Sequence, residues 1–282
     1  MWPYLERTCM DADAALDYAR KHALQAFVVA RGDDVVAEAY DNGFDAAAAH
    51  PLFSGTKSFW GVAALCAQDD GLLTLDDPVA ATIASWQDDP WKRRVTLRML
   101  LSLTSGFGFG GLGSAVPTYD RALATALKNE PGSTFTYGGI PLQVFGAVLA
   151  RKLSPETPHE FLQRRVLERA TVRVANWRKL IDGTQPLPTG AFLTARDWLA
   201  YGRYVLRERA KFAACFEGSS ANPRYGLGWW LAPAGAPPDL FYASGSGGQA
   251  MYVAPSENAV AVHFGKSASY KHEALLKRLF AR

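Results

Sequence analysis

The chain is poor in cysteine: Cys9, Cys66 and Cys215 are the three in 282 residues. Their number is odd, their spacings are wide, and no CxxC pair occurs. Such a pattern supports neither a disulfide framework nor a thiolate metal site, and reduced thiols in a reducing compartment are the expectation. Long hydrophobic runs are missing as well. None reaches the roughly 18 residues that a membrane helix needs, so no membrane partner is expected. The opening stretch Met1-Trp2-Pro3-Tyr4-Leu5-Glu6-Arg7 lacks the basic-then-apolar layout of a signal peptide, which makes the cytoplasm the expected location. Nor is there charge of one sign: 30 basic and 27 acidic residues interleave to a net charge of +3. Nucleic-acid binders carry a basic stripe, and here the basic residues gather no further than Lys92-Arg93-Arg94, so a small or neutral partner fits better than nucleic acid.

Several motifs of known chemistry are also absent. There is no G-x-S-x-G elbow and no H-E-x-x-H, and His22, His50, His159, His263 and His272 show no ligand spacing. Neither a metal nor a cofactor is expected. G-x-G-x-x-G does occur, twice and overlapping, in Gly106–Gly113. A dinucleotide fingerprint follows a strand and opens a helix. This one follows the helical run Leu97–Leu103 and leads to Pro117, so it reads as a Gly/Phe loop.

What is present is an ordinary globular composition, 49% hydrophobic and 20% charged, long enough to bury a large core. Residues 11–22 read as a helix. The runs 25–30 and 34–40 read as a hairpin closed by Gly32-Asp33, and 54–68 as a second helix ended by Asp69-Asp70-Gly71. Helical periodicity recurs in 95–103, 118–128, 140–152, 159–169 and 194–207. Strand patterns return at 225–231, 240–243, 250–254 and 259–264, and 269–281 is again helical. Strands at both ends and helices between them predict an α+β fold. One antiparallel sheet is built from both chain ends, terminal helices cover one face, and a mostly helical lobe is inserted. The expected organisation is one domain over 1–282, with an α/β lobe of 1–74 plus 216–282 and a helical lobe of 75–215. The cleft between lobes is the expected ligand site.

One string carries chemistry: Phe53-Ser54-Gly55-Thr56-Lys57-Ser58, with the only Ser-x-x-Lys of the chain, placed where the hairpin hands over to a helix. Residues i and i+3 share a helix face, and free N–H groups and the dipole at the first turn favour negative charge on a serine. A neutral lysine three residues on can take the hydroxyl proton if burial or a nearby cation lowers its pKa by several units. The string taken alone is a weak signal and reads more readily as a helix N-cap followed by a surface lysine.

The surrounding sequence resembles the serine β-lactamase and penicillin-binding-protein superfamily, in its class C-like esterase and amidase branch. Phe53–Phe59 (FSGTKSF) is similar to that family's nucleophile motif. Asp70–Val79 (DGLLTLDDPV) and Val95–Gly106 (VTLRMLLSLTSG) are similar to its next two stretches. Pro131–Tyr137 (PGSTFTY) is similar to the segment whose tyrosine opens the second catalytic motif. Tyr225–Trp230 (YGLGWW) and Ala243–Gln249 (ASGSGGQ) resemble its C-terminal strands. The pieces run in the family's order over about residues 25–280. The resemblance implies that Ser54 becomes acylated, that Lys57 accepts its proton, and that Tyr137 passes the proton to the leaving group and helps activate water. It implies an oxyanion hole from the backbone N–H groups of Ser54 and Ser246, with Ser244 and Gly245 in the third motif touching substrate.

Two departures bear on substrate. The second motif is usually Tyr-x-Asn, and Gly139 stands at the Asn position. The third usually begins with Lys or His, and Ala243 stands there. A site without these two partners for an acylamino arm and a carboxylate is poorly suited to β-lactams. Phe53, Phe107, Phe109, Trp229, Trp230 and Tyr242 lie near the matched motifs, and about half of them are expected to line an apolar cleft. A carboxylesterase acting on small apolar esters is therefore expected. The alternatives are an amidase or a weak β-lactamase or D-Ala-D-Ala peptidase of the same fold and, from another class, a non-catalytic ligand-binding relative.

Overall fold

Residues 24–31 and 34–40 are rich in valine, alanine and aromatics and break at Gly32, whose φ of +59° suits glycine. In the computed structural model, which describes residues 10–280, they form a hairpin. Cys9 and the Met1–Arg7 stretch lie outside the described residues. In chain order the elements begin with α1 (Ala12–Arg20), β1 (Leu24–Arg31), β2 (Asp34–Tyr40) and β3 (His50–Pro51). After a 3-10 turn at Phe53–Lys57 come α2 (Ser58–Asp69), α3 (Leu97–Leu101), α4 (Tyr119–Ala124), α5 (Ile140–Leu153) and α6 (Pro158–Leu162). Next are β4 (Asn176–Trp177), β5 (Ala191–Leu193) and α7 (Ala195–Arg207). The chain closes with β6 (Trp230–Leu231), β7 (Phe241–Gly245), β8 (Gln249–Ala254), β9 (Ala259–Gly265) and α8 (His272–Leu279).

The main sheet is six-stranded and antiparallel, ordered β2-β1-β9-β8-β7-β6, so strands from both chain ends meet where β1 pairs with β9. This α+β architecture, with a mostly helical insertion between the two sets of strands, is the one the sequence pattern predicts. Strands β8 and β9 are buried along their whole length because both faces of the sheet are covered. Side chains still alternate between two cores. Ala250, Tyr252 and Ala254 join Phe27 and Val29 under α1 and α8, whereas Met251 and Val253 join Val28 and the helices of the opposite face. Helix α7 packs on β1, β8 and β9, so it covers the sheet although the sequence pattern groups it with the helical lobe.

Several segments differ from their expected elements: β3, β5 and β4 form a second, three-stranded antiparallel sheet beside the one expected, and the helix expected over 118–128 covers only Tyr119–Ala124. The helix expected from residue 54 begins as a 3-10 turn and becomes α-helical only at Ser58. The strand expected over 225–231 is reduced to Trp230–Leu231, with one bridge between Tyr225 and Trp230. The reason is close backbone packing. A Cβ at Gly228, where φ is +87°, would stand 2.4 Å from the Lys57 carbonyl oxygen, and one at Gly61 would stand 2.3 Å from that of Leu227. The glycine-rich segment folds against the start of α2 instead of extending along the sheet.

Candidate active site

The turn that carries Ser54 is pinned from both sides. The Leu52 amide donates to the Ala191 carbonyl (2.9 Å), and His50–Pro51 pair with β5. Phe53 then adopts φ of +46°, an uncommon conformation for a bulky residue, which turns the chain into the 3-10 segment. Gly55 lies flat on an aromatic ring, since a Cβ there would sit 2.8 Å from the Trp198 indole. In a 3-10 turn, residues i and i+3 eclipse. Ser54 and Lys57 accordingly stand over each other, with Lys57 Nζ donating to Ser54 Oγ at 2.9 Å.

Lys57 is only 1% exposed. Its ammonium also donates to the Pro188 carbonyl (3.2 Å) and lies 4.9 Å from the centre of the Tyr137 ring. Burial pushes its pKa from the ordinary 10.5 down to about 7, so a large share of the amine is neutral near neutral pH. Tyr137 is placed by the Thr136 amide donating to the Leu103 carbonyl (3.0 Å) and by its own ring stacked on Trp230, centres 5.8 Å apart. Burial raises its phenol above the usual 10, and the Ser54 hydroxyl draws it partly back. The phenol therefore keeps its proton across the neutral range.

Ser54 and Tyr137 open onto a cleft of about 700 Å³. Its walls carry Phe53, Leu112, Val116, Pro188, Trp230 and Tyr242 as apolar surface, and Ser244, Gly245, Ser246 and His272 on the side of β7. Gly245 lets this wall come close. A Cβ there would stand 2.1 Å from the Leu52 carbonyl oxygen, so only glycine allows the end of β7 to lie against the turn that bears Ser54.

The other expected substrate contacts fall elsewhere. Phe107 and Trp229 are buried in the core, because the loop after α3 and the segment before β6 turn inward there. Phe109 is 78% exposed and does not line the cleft. Gly139 is buried at the N-cap of α5, with its amide on the Gly110 carbonyl (2.9 Å), and it does not line the cleft either. His272, at the first turn of α8, faces the cleft and was not legible in the sequence, since no spacing links it to Ser244, 28 residues earlier. Among the described residues no cluster of three or more His, Cys, Asp or Glu side chains is placed to hold a metal, and no helix is long and apolar enough to cross a membrane.

The Beta-lactamase family model matches residues 13–279. The chain belongs to the β-lactamase family. With it comes a place in the superfamily of serine hydrolases related to β-lactamases and penicillin-binding proteins. No curated protein matches the sequence. Among solved structures, it is similar to EstCE1, a hydrolase with promiscuous acyltransferase activity. The TM-score is 0.75 at 18% identity, over 95% of this chain and 97% of that one. It is similar also to the octameric penicillin-binding protein homologue from Pyrococcus abyssi, with TM-score 0.72, 18% identity, and 95% and 76% of the two chains covered. The penicillin-binding protein from Bacillus halodurans gives a TM-score of 0.68 at 18% identity, over 95% and 96% of the two chains. At these identities the likeness is one of fold.

Within this β-lactamase-family fold, both departures from the usual motifs have a structural setting. Ala243 is buried with its side chain in the core. Gly139 cannot carry a side chain at all, for a Cβ would lie 1.9 Å from the Gly111 carbonyl oxygen and 3.0 Å from the Pro188 ring. Gly139→Asn is thus expected to destabilise the protein by about 1–3 kcal/mol or more, as overpacking against backbone does. Urea unfolding measures it, and an unchanged midpoint would show that the loop 110–112 yields freely.

Proposed function

We propose that the protein is a serine hydrolase that works through an acyl-enzyme on Ser54 and serves as a carboxylesterase for small apolar esters. The observation that carries this reading is the 2.9 Å contact between Ser54 Oγ and a buried lysine whose pKa is lowered to about 7, at the floor of a largely apolar cleft. Ser54 Oγ attacks the ester carbonyl and Lys57 Nζ takes its proton. The developing oxyanion is held by the backbone amides of Ser54 and Ser246, each such donor contributing roughly 3 kcal/mol to transition-state stability. Tyr137, protonated at neutral pH, gives its proton to the departing alkoxide and regains one from the Lys57 ammonium. Water then attacks the acyl group, its proton returns through Tyr137 and Lys57 to Ser54, and the carboxylate product leaves.

Substrate choice follows from what the walls lack. With Gly139 buried at a helix cap and Ala243 in the core, neither usual partner for an acylamino arm or a carboxylate faces the cleft. Activated esters with short or medium apolar acyl chains still meet the whole acylation apparatus. The expected kcat/KM for p-nitrophenyl butyrate exceeds that for nitrocefin by at least ~100-fold, about 2.7 kcal/mol of transition-state binding. Equal turnover of nitrocefin overturns the preference, and so does cleavage of amides with neither compound touched.

A further inference from the structure

Tyr270, Tyr252, His272 and Ser244 form one hydrogen-bonded line from the buried core beneath α8 to the cleft wall. The Tyr270 and Tyr252 hydroxyls are 2.8 Å apart, the Tyr252 hydroxyl is 2.6 Å from His272 Nδ1, and His272 Nε2 is 3.0 Å from Ser244 Oγ. Both tyrosines are buried, and Ser244 and His272 line the cleft. Burial lowers the His272 pKa to about 4, so the ring is neutral and exists as one of two tautomers.

Counting protons selects one. Among the described residues, the Tyr270 hydroxyl has no hydrogen-bonding partner but Tyr252. If the line ran from Ser244 inward, Ser244 would donate to Nε2, Nδ1–H to Tyr252, and Tyr252 to Tyr270. The Tyr270 proton would then be left buried without an acceptor, at a cost comparable to a lost hydrogen bond. Run outward, every proton is placed. Tyr270 donates to Tyr252, Tyr252 to Nδ1, and Nε2–H to Ser244 Oγ. The Ser244 hydroxyl proton is then directed into the cleft, and a chain aligned in this way polarises each successive donor.

We propose that His272 is a positioning residue that holds Ser244 as a hydrogen-bond donor toward substrate, so that the site selects esters whose acyl chain carries a second, acceptor oxygen such as a ketone. This deepens the esterase reading and rests on it. It also sets a polar contact on the wall where Ala243, turned into the core, supplies none.

Two esters of equal chain length separate the effects: p-nitrophenyl levulinate, with a ketone at the fourth carbon, and p-nitrophenyl valerate, without one. The ratio of their kcat/KM values cancels general damage to the site. Ser244→Ala is expected to lower that ratio about fivefold, chiefly through KM, the effect of one lost hydrogen bond. His272→Phe is expected to lower it as much, His272→Gln, which keeps an N–H donor, to lower it less, and the double variant Ser244→Ala/His272→Phe to lose no more than either alone. A ratio unmoved by both single variants, or a double-variant loss equal to the product of the two, overturns the inference while leaving the esterase reading in place. Wild-type protein inert toward both esters overturns the esterase reading and the substrate half of this one. The relay itself is read without turnover. Nitrogen-15 spectra of the ring, assigned by the signal lost in His272→Phe, should show the Nε2–H tautomer, and the Nδ1–H tautomer overturns the outward direction.

Discussion

Ser54→Ala is expected to lower kcat on p-nitrophenyl butyrate by roughly 10⁶-fold, the scale on which removal of a nucleophile acts in comparable hydrolases. The expectation rests on the single contact that the tight turn enforces. Ser54 Oγ accepts from Lys57 Nζ at 2.9 Å, with Ser54 lining the cleft and Lys57 buried behind it. Removing one oxygen at a half-buried position leaves Lys57 bonded to the Pro188 carbonyl, so the fold should persist and the loss should fall on chemistry. A fluorophosphonate followed by intact-mass and peptide spectra should give one adduct on wild-type protein, at Ser54, and none on the variant. An adduct on Ser105, Ser244 or Ser246 instead would assign the nucleophile elsewhere. An unlabelled wild-type protein would favour a non-catalytic ligand binder.

Lys57→Met is expected to lower activity by about 10²–10⁴-fold, the usual contribution of a general base, and at the same time to raise stability at low pH. The sign follows from proton binding. An unfolded lysine holds its proton up to about 10.5, whereas Lys57 in the fold releases it above about 7. Between those values the unfolded chain binds more protons, so wild-type stability rises with pH. Below pH 7 the cost of burying the charge is present in full. At 1.36 kcal/mol for each unit, that cost is on the order of 4–5 kcal/mol. The methionine variant escapes it but leaves the Pro188 carbonyl without its donor, a loss of about 1–3 kcal/mol. A higher melting temperature than wild type is therefore expected at pH 6, with the advantage shrinking as pH rises toward 10. A variant less stable than wild type at pH 6 would show that Lys57 is not held near neutrality by burial. In the same reading, wild-type kcat/KM climbs through a limb near pH 7 as the amine loses its proton.

A buried lysine with a lowered pKa and a bulky residue of positive φ beside it are costs the fold carries at one place. Phe53 precedes Ser54 with φ of +46°, and non-glycine residues in such conformations cost about 1–3 kcal/mol and gather at active sites. The surrounding structure over-determines them. Leu52 is tied to β5, Gly55 is pressed on Trp198, and Gly228 is pressed on the Lys57 carbonyl.

Local pattern by itself determined the architecture, and the run of family-like motifs around Ser-x-x-Lys singled out Ser54 as the candidate nucleophile. Alternating and continuous apolar runs at both chain ends specify strands, helical periodicity between them specifies the insertion, and Ser-x-x-Lys in the tight turn before α2 sets two side chains on one face, because these features depend on residues a few positions apart. Only the tertiary structure decided what depends on approaches between distant segments. Burial under Tyr137 and Pro188, far along the chain, lowers the Lys57 pKa. Inward turns of the backbone put Phe107 and Trp229 in the core while Phe53, Trp230 and Tyr242 line the cleft. His272 reaches Ser244 because α8 packs beneath the sheet and presents its first turn to the end of β7, a contact across 28 residues that no local spacing encodes.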